Sequence, residues 1–306
     1  MLDFDIKMGF ACNHNCIHCA AKNENQELNL TTQKLKDIID SLDPKKWVVR
    51  FSGGEPTIRP DFLELIKYAR EHRGRRVKIH TNATGFADEK LAAEAVKYMD
   101  GVLITIHSCD SNIHDKIAQT NGAWEKTIQG IKNLLKYRQT CSSQVRIETN
   151  TIISNWNKKF LLNTLEFIQA LVPKTGMGLV YPHPVGNALK YAVAVLPKYS
   201  DIKEEIQQCI KRFGPYLMIR SIPKCQLFPY QENCRTDSWL KDLQRPGFNP
   251  IASKNGYIED YTIIDSLQKK KAEECERCCF NSECTGVWEQ YIDLYKKELD
   301  LFPIEN

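Results

Sequence analysis

The sequence predicts an α/β protein whose residues 1–190 form a partial (β/α)6 barrel, followed by a small cysteine-rich carboxyl-terminal unit. Three observations carry that prediction. Short β-type runs alternate with amphipathic helical runs, the alternation stops near residue 190, and turn residues and cysteines crowd the sequence beyond it. A chain of 306 residues also exceeds the usual single-domain size, so one large domain with an appendage is the expected organisation.

Six runs read as strands in order: DFDIKMGF (3–10), WVVRFSG (47–53), VKIHTNA (77–83), VLITIHS (102–108), QVRIETNTII (144–153) and MGLVYPHP (177–184). Between the first two, TTQKLKDIIDSL places Leu35, Ile38, Ile39 and Leu42 on one helical face, behind Thr31 or Thr32 as the cap. DFLELIKYAREH, DEKLAAEAVKYM, AWEKTIQGIKNLLKYR and KKFLLNTLEFIQAL repeat that pattern. A recurring βα order calls for a parallel sheet with right-handed crossovers, and the chemistry of such folds lies at the carboxyl ends of the strands. Residues 191–220, centred on DIKEEIQQCIKRF, read as a helical linker. Residues 221–306 are too poor in long apolar runs to build a large core, so metal is the expected staple of this part.

Lys plus Arg number 42 against 38 Asp plus Glu, and the formal charge of +4 is spread along the chain, which argues against a nucleic-acid surface. No apolar run is long enough to span a bilayer, and MLDFDIKMGF lacks the features of an export signal, so a cytoplasmic protein without membrane contact is expected. In that reducing setting twelve cysteines point to metal binding or catalysis rather than disulfides.

The segment CNHNCIHC holds Cys12, Cys16 and Cys19, one thiol fewer than a closed tetrahedral site. Three thiolates on one tight loop suit three corners of a [4Fe–4S] cluster and leave the fourth iron open to a ligand that is not protein. The alternative is a zinc loop completed by His14 or His18. After the second strand, FSGGEP supplies Gly53 and Gly54 for close backbone approach, Glu55 as an acceptor for an ammonium group, and Pro56 to stiffen the turn.

Together CNHNCIHC and GGEP resemble the CxxxCxxC and GGEP motifs of the radical S-adenosylmethionine (SAM) superfamily. That resemblance implies SAM chelated at the open iron, reductive cleavage to a 5′-deoxyadenosyl radical, and hydrogen-atom abstraction from a substrate. It also implies SAM contacts from Thr81 and Asn82, which resemble the family's TNG segment, and from Glu148 and Asn150 on the fifth strand. The segment YPHPVGN has the position of the adenine-contacting segment. Two departures stand out: His18 replaces an aromatic residue common before the last cysteine and can still stack on adenine, and His107 with Ser108 falls where many relatives have Ser-x-Asp.

Downstream, CERCCFNSEC with Cys275, Cys278 and Cys284 resembles the tails of the SPASM and twitch subgroups, which implies one auxiliary [4Fe–4S] cluster. Its fourth ligand is expected to be Cys225, with Cys234 as the alternative; a zinc knuckle is the competing reading. Cys109, Cys141, Cys209, Cys234 and Cys279 remain, and packing is the expected role for most of them, with Cys109 as the exception. That thiol follows the fourth strand, where the resemblance to peptide epimerases suggests return of a hydrogen atom to a substrate radical. The resemblance favours a ribosomally made peptide as substrate (crosslink, thioether or epimerisation) over oxidation of a small molecule. A non-catalytic metal-binding module is the rival from another class, and RNA modification ranks last. A flavodoxin- or ferredoxin-type reductant is implied, and, since eleven residues precede Cys12, leader binding is expected to need either a separate leader-binding protein or the edge and tail surfaces.

Overall fold

Seven parallel strands make the sheet that carries the site: β1 (Leu2–Lys7), β2 (Trp47–Ser52), β3 (Val77–Thr81), β4 (Gly101–Thr105), β5 (Arg146–Ile152), β6 (Met177–Val180) and β7 (Leu217–Arg220). They are seen in a computed structural model that describes residues 2–21, 29–230, 235–236, 250–252, 258–260, 268–296, 300–301 and 303–305. The strands pair in sequence order. Short backbone pairings extend both edges: β8 (Arg235–Thr236) beside β7, β9 (Pro250–Ala252) beside β1, and β10 (Ile258–Asp260) antiparallel on β9. The order leaves β8 and β10 at opposite ends, so the sheet is a partial barrel and not a closed one.

The chain folds this way because each strand has one apolar side. Phe4, Ile6, Val49, Phe51, Val77, Ile79, Val102, Ile104, Leu217 and Ile219 are buried under the helical layer. That layer comprises α1 (Thr32–Ser41), α2 (Phe62–Lys67, continued by a π-helical turn at Tyr68–His72), α3 (Glu89–Ala95), α4 (Ser111–Ala118), α5 (Ala123–Thr140) and α6 (Leu161–Leu171). Thr31 caps α1, its hydroxyl accepting from the Lys34 amide at 3.2 Å, while Thr32 donates to Asp61 at 2.6 Å. Two short helices, α7 (Asn187–Lys190) and α8 (Ala192–Val195), lead into α9 (Tyr199–Phe213), and α10 (Lys224–Leu227) follows β7. The stretch expected as a linker therefore contains both α9 and the seventh strand of the sheet.

In the tail, β11 (Lys269–Lys270) pairs antiparallel with β12 (Val287–Trp288), and α11 (Glu289–Tyr295) follows. Among the described residues its buried apolar side chains Val287, Trp288, Tyr291 and Leu301 pack into the same cluster as the sheet and α9. Trp288 is 1 % exposed and stacks on His183 at 4.3 Å, just past β6. Tyr291 lies against Tyr199 at 4.5 Å and Tyr181 at 6.1 Å, and its hydroxyl accepts from the Tyr199 amide. Replacing Trp288 with Ala is expected to lower stability by about 3–5 kcal/mol, read by urea denaturation. No described helix is long and apolar enough to cross a membrane.

Candidate active site

The cysteine loop leaves β1 at the carboxyl end of the sheet and is held from three sides by backbone. From β2, Gly54 and Glu55 donate their amides to the carbonyls of Gly9 and Ala11, at 2.7 and 2.9 Å. A Cβ on Gly54 would lie 2.0 Å from the Ala11 carbonyl oxygen, so glycine there is a condition for docking this loop. From α4, the carbonyls of Ala118 and Ile117 accept the amides of Asn15 and Ile17, each at 3.0 Å. From α7, Asn187 donates its amide to Cys19 O at 3.0 Å and its side chain to Cys16 O at 2.9 Å. Gly186, at φ +58°, brings that segment against the Cys19 and Ala20 carbonyls. Cys12 is exposed and Cys16 and Cys19 are half-buried, so the loop is fixed through its backbone while its thiols stay reachable.

Glu55 holds the neighbouring strand ends together. It is 2 % exposed; Oε1 accepts from the Thr57 amide (3.1 Å), the Thr57 hydroxyl (2.6 Å) and the Thr81 hydroxyl (2.6 Å), and Oε2 from the Asn82 amide (2.7 Å). Burial still holds its pKa above the ordinary glutamate value, against those four donors. Asn82 in turn donates to Asn13 Oδ1 at 2.8 Å, and Asn13 donates to Thr84 at 2.7 Å, so the GGEP turn, the end of β3 and the cysteine loop form one hydrogen-bonded unit. Pro56 is buried at the first position of a 3-10 turn.

His18 and His107, the two departures noted in the sequence, are neighbours: their rings are 4.8 Å apart, and His107 Nε2 lies 3.8 Å from Cys16 Sγ. His114 continues the row at 5.0 Å from His107. Burial lowers the pKa of His18 and His114 to about 4 and that of His107 well below its ordinary value, so all three are neutral near pH 7. His18 Nε2 and His107 Nδ1 are buried without a hydrogen-bond partner among the described residues. Cys16, His18 and His107 have their donor atoms within 4.8 Å of one another.

Cys109 is half-buried after β4, its amide held by the Thr164 hydroxyl at 3.1 Å. Asn150 is buried on β5 opposite Thr105. Glu148 is not brought to the cysteine loop. It is exposed two residues earlier on β5 and lines a polar recess with Arg138, Arg146 and Lys174 at the amino end of β5 and β6.

In the tail, Cys225, Cys275, Cys278 and Cys284 line one small apolar cavity with Phe280 and Val287. Burial pushes the Cys225 thiol up to about 12 and raises Cys275, so thiolates in this cavity call for a compensating cationic centre. Cys234 lies outside the described residues. Cys209 is buried, as expected of a packing thiol; Cys141 and Cys279 are exposed, a correction to the packing role, because one ends α5 and the other sits on the outer side of the tail turn.

Sequence reasoning passed over Asn13, Thr84 and Asn187, all polar residues whose partners are backbone or loop atoms remote in the chain. Residues 6–149 match the family model described as Radical SAM superfamily. Mycofactocin maturase MftC of Mycobacterium tuberculosis is 35 % identical over 133 residues, 42 % of this chain and 33 % of that protein. AdoMet-dependent heme synthase of Methanosarcina barkeri is 32 % identical over 166 residues, 52 % and 45 % of the two chains. The chain thus spans less than half the length of these curated relatives. The solved structure of anSMEcpe with bound AdoMet and Kp18Cys peptide superposes with a TM-score of 0.66 at 14 % identity, over 99 % of this chain and 92 % of that one. The matched segment contains the cysteine loop, the GGEP turn and the Thr81–Asn82 strand end in one bonded unit, so residues 6–149 form a radical SAM domain.

Proposed function

We propose that this protein is a peptide-modifying radical SAM enzyme of the SPASM/twitch type, with residues 221–306 holding one auxiliary [4Fe–4S] cluster. The observation that carries the reading is the cysteine loop, whose three thiols are reachable while its backbone is tied to β2, α4 and α7. Cys12, Cys16 and Cys19 would hold the first cluster, and Cys225, Cys275, Cys278 and Cys284 the second. Bound at the first site, the cluster and SAM supply reductive cleavage to a 5′-deoxyadenosyl radical. The chain's own part is placement. Glu55 is taken up by four protein donors, so it serves SAM by fixing the Gly53–Gly54 backbone rather than by reaching for the ammonium group. Thr81 and Asn82 fix the loop through Glu55 and Asn13, and neutral His18 and His107 floor it without adding charge. Asn150 stands on the inner side of the sheet, within reach of a ligand above it.

A peptide substrate is supported by the maturase relative and by the peptide held in the fold neighbour. The heme synthase relative supports the runner-up, radical oxidation of a small molecule. Candidate precursor peptides incubated with reconstituted protein, SAM and a flavodoxin-type reductant should show a mass change stoichiometric with 5′-deoxyadenosine. Release of 5′-deoxyadenosine with every peptide unchanged counts against the peptide. A second reading rests on Cys16, His18 and His107 as a mononuclear metal group. It predicts about one zinc and no iron after anaerobic purification.

A further inference from the structure

His107 lies just beyond the end of β4, and the surrounding elements fix its position. Its carbonyl accepts from Asn157 Nδ2 at 2.7 Å, and its amide donates to His114 Nδ1 at 3.3 Å. The carbonyl of the preceding Ile106 accepts from the Thr151 hydroxyl at 2.7 Å. Asn157, Thr151 and His114 are all buried, and His107 itself is 2 % exposed. The rings of His18 and His114 pack against it at 4.8 and 5.0 Å. Held in this way, the imidazole presents Nε2 to Cys16 Sγ at 3.8 Å.

The other ring nitrogen decides which way that contact runs. Nδ1 is buried and meets no hydrogen-bond partner among the described residues. A proton on Nδ1 would leave a buried donor unpaired and turn the Nε2 lone pair toward the lone pairs of sulfur. A proton on Nε2 instead finds an acceptor, and a thiolate is a charged one. Nδ1 also weighs against His107 as a metal ligand. A ligating imidazole hands its second N–H to an outer acceptor, and no described protein acceptor stands there.

We propose that His107 is a positioning residue that donates an Nε2–H···Sγ hydrogen bond to Cys16 and so makes a cluster held by Cys12, Cys16 and Cys19 easier to reduce. The inference rests on the reaction proposed above and adds to it a residue outside both sequence motifs. Reduction adds one negative charge, which the cysteine sulfurs share. A donor at one of those sulfurs therefore favours the reduced form, and hydrogen bonds to sulfur are among the features that set iron–sulfur potentials. The electron comes from the flavodoxin-type donor, and His107 keeps its proton throughout.

The test is an anaerobic redox titration of the reconstituted full chain without SAM, followed by electron paramagnetic resonance. The signal that changes when SAM is added afterwards belongs to the cysteine-loop cluster; the SAM-insensitive signal of the tail cluster is the internal control. His107→Phe and, as a second deletion, His107→Leu remove the donor. Each should make reduction of the SAM-sensitive cluster about tenfold less favourable, a fall of about 59 mV in its midpoint, and leave the control in place. His107→Gln offers an amide N–H instead and should stay within about threefold of wild type. Thermal melting by circular dichroism identifies a deletion that fails to fold, and the other then decides. A second measurement starts from the wild-type side chain: with isotopically labelled histidine, pulsed resonance on the SAM-sensitive signal should show a weak nitrogen coupling, lost in the folded deletion. A strong coupling, as from nitrogen bound to iron, or no coupling overturns the proposal. So does an unchanged midpoint in a folded deletion, an equal fall in both signals, or an equal loss in His107→Gln. These results with a SAM-sensitive cluster present refute this inference alone, whereas a wild-type chain with no SAM-sensitive cluster refutes the proposed reaction and the inference with it.

Discussion

Changing Cys12, Cys16 and Cys19 together to alanine is expected to lower the iron content from about eight to about four per chain and to abolish SAM cleavage. The loss should exceed about 10⁴-fold, because the reading gives SAM no other iron at which to bind and be reduced: the auxiliary cluster would be fully ligated by its four cysteines. Stability should change by less than about 1 kcal/mol, because the loop is tied down through backbone amides and carbonyls and the thiols contribute little packing. The single variants separate the cluster from its mononuclear rival. Cys12→Ala and Cys19→Ala leave the Cys16, His18 and His107 donors in place, so a zinc ion held there would survive both, whereas a three-thiolate cluster would not. Anaerobic metal analysis beside an electron paramagnetic resonance titration with SAM reads both outcomes. Retention of a SAM-sensitive iron–sulfur signal in the triple variant would remove the cysteine loop from the mechanism.

Residues with strong local signals were legible before any coordinates. Six strands announce themselves because one side must meet the helices and the runs are bounded by turn residues; their expected limits overrun mainly where the chain bends into the site, as at Met8–Phe10 after β1 and Tyr181–Pro184 after β6. The seventh strand escaped notice because Leu217–Arg220 is four residues long and sits between Gly-Pro and Ile-Pro, a context that reads as turn. Helix α4 was missed for a similar reason: eight residues with Ile113, Ile117 and Ala118 give little periodic signal, yet its carbonyls hold one of the three sides of the cysteine loop. Cys225 lines the same cavity as the three distal cysteines, and its place after Ile-Pro is what distinguished it from Cys234 in the sequence. Glu148 misled because period-two alternation gives the side of a strand but not the depth along it. Asn187 and Asn13 carry no signal in a single chain, since what makes them matter is a partner far away in sequence, a backbone carbonyl for Asn187 and the side chains of Asn82 and Thr84 for Asn13.

Glu55→Ala should be the most damaging single change at the site. It strands the Thr57 amide, the Thr81 hydroxyl and the Asn82 amide in a buried space, at about 1–3 kcal/mol for each donor that finds no new partner, so a total of about 3 kcal/mol or more is expected. Glu55→Gln keeps one acceptor oxygen but turns an NH₂ toward the Asn82 or Thr81 donor, and about 1–2 kcal/mol is expected. The wild-type contribution also depends on pH. Because burial raises the folded-state pKa of Glu55 above its unfolded value, the folded protein holds this proton more tightly, and stability from this group falls as pH rises from the ordinary glutamate range through the raised pKa. Glutamine does not titrate, so the advantage of wild type over Glu55→Gln should be greatest at the acid end of that window and shrink above it. Urea denaturation of both proteins across the window measures the difference directly. A gap that widens with rising pH would mean that the four donors outweigh burial and that Glu55 is held as a stabilised carboxylate.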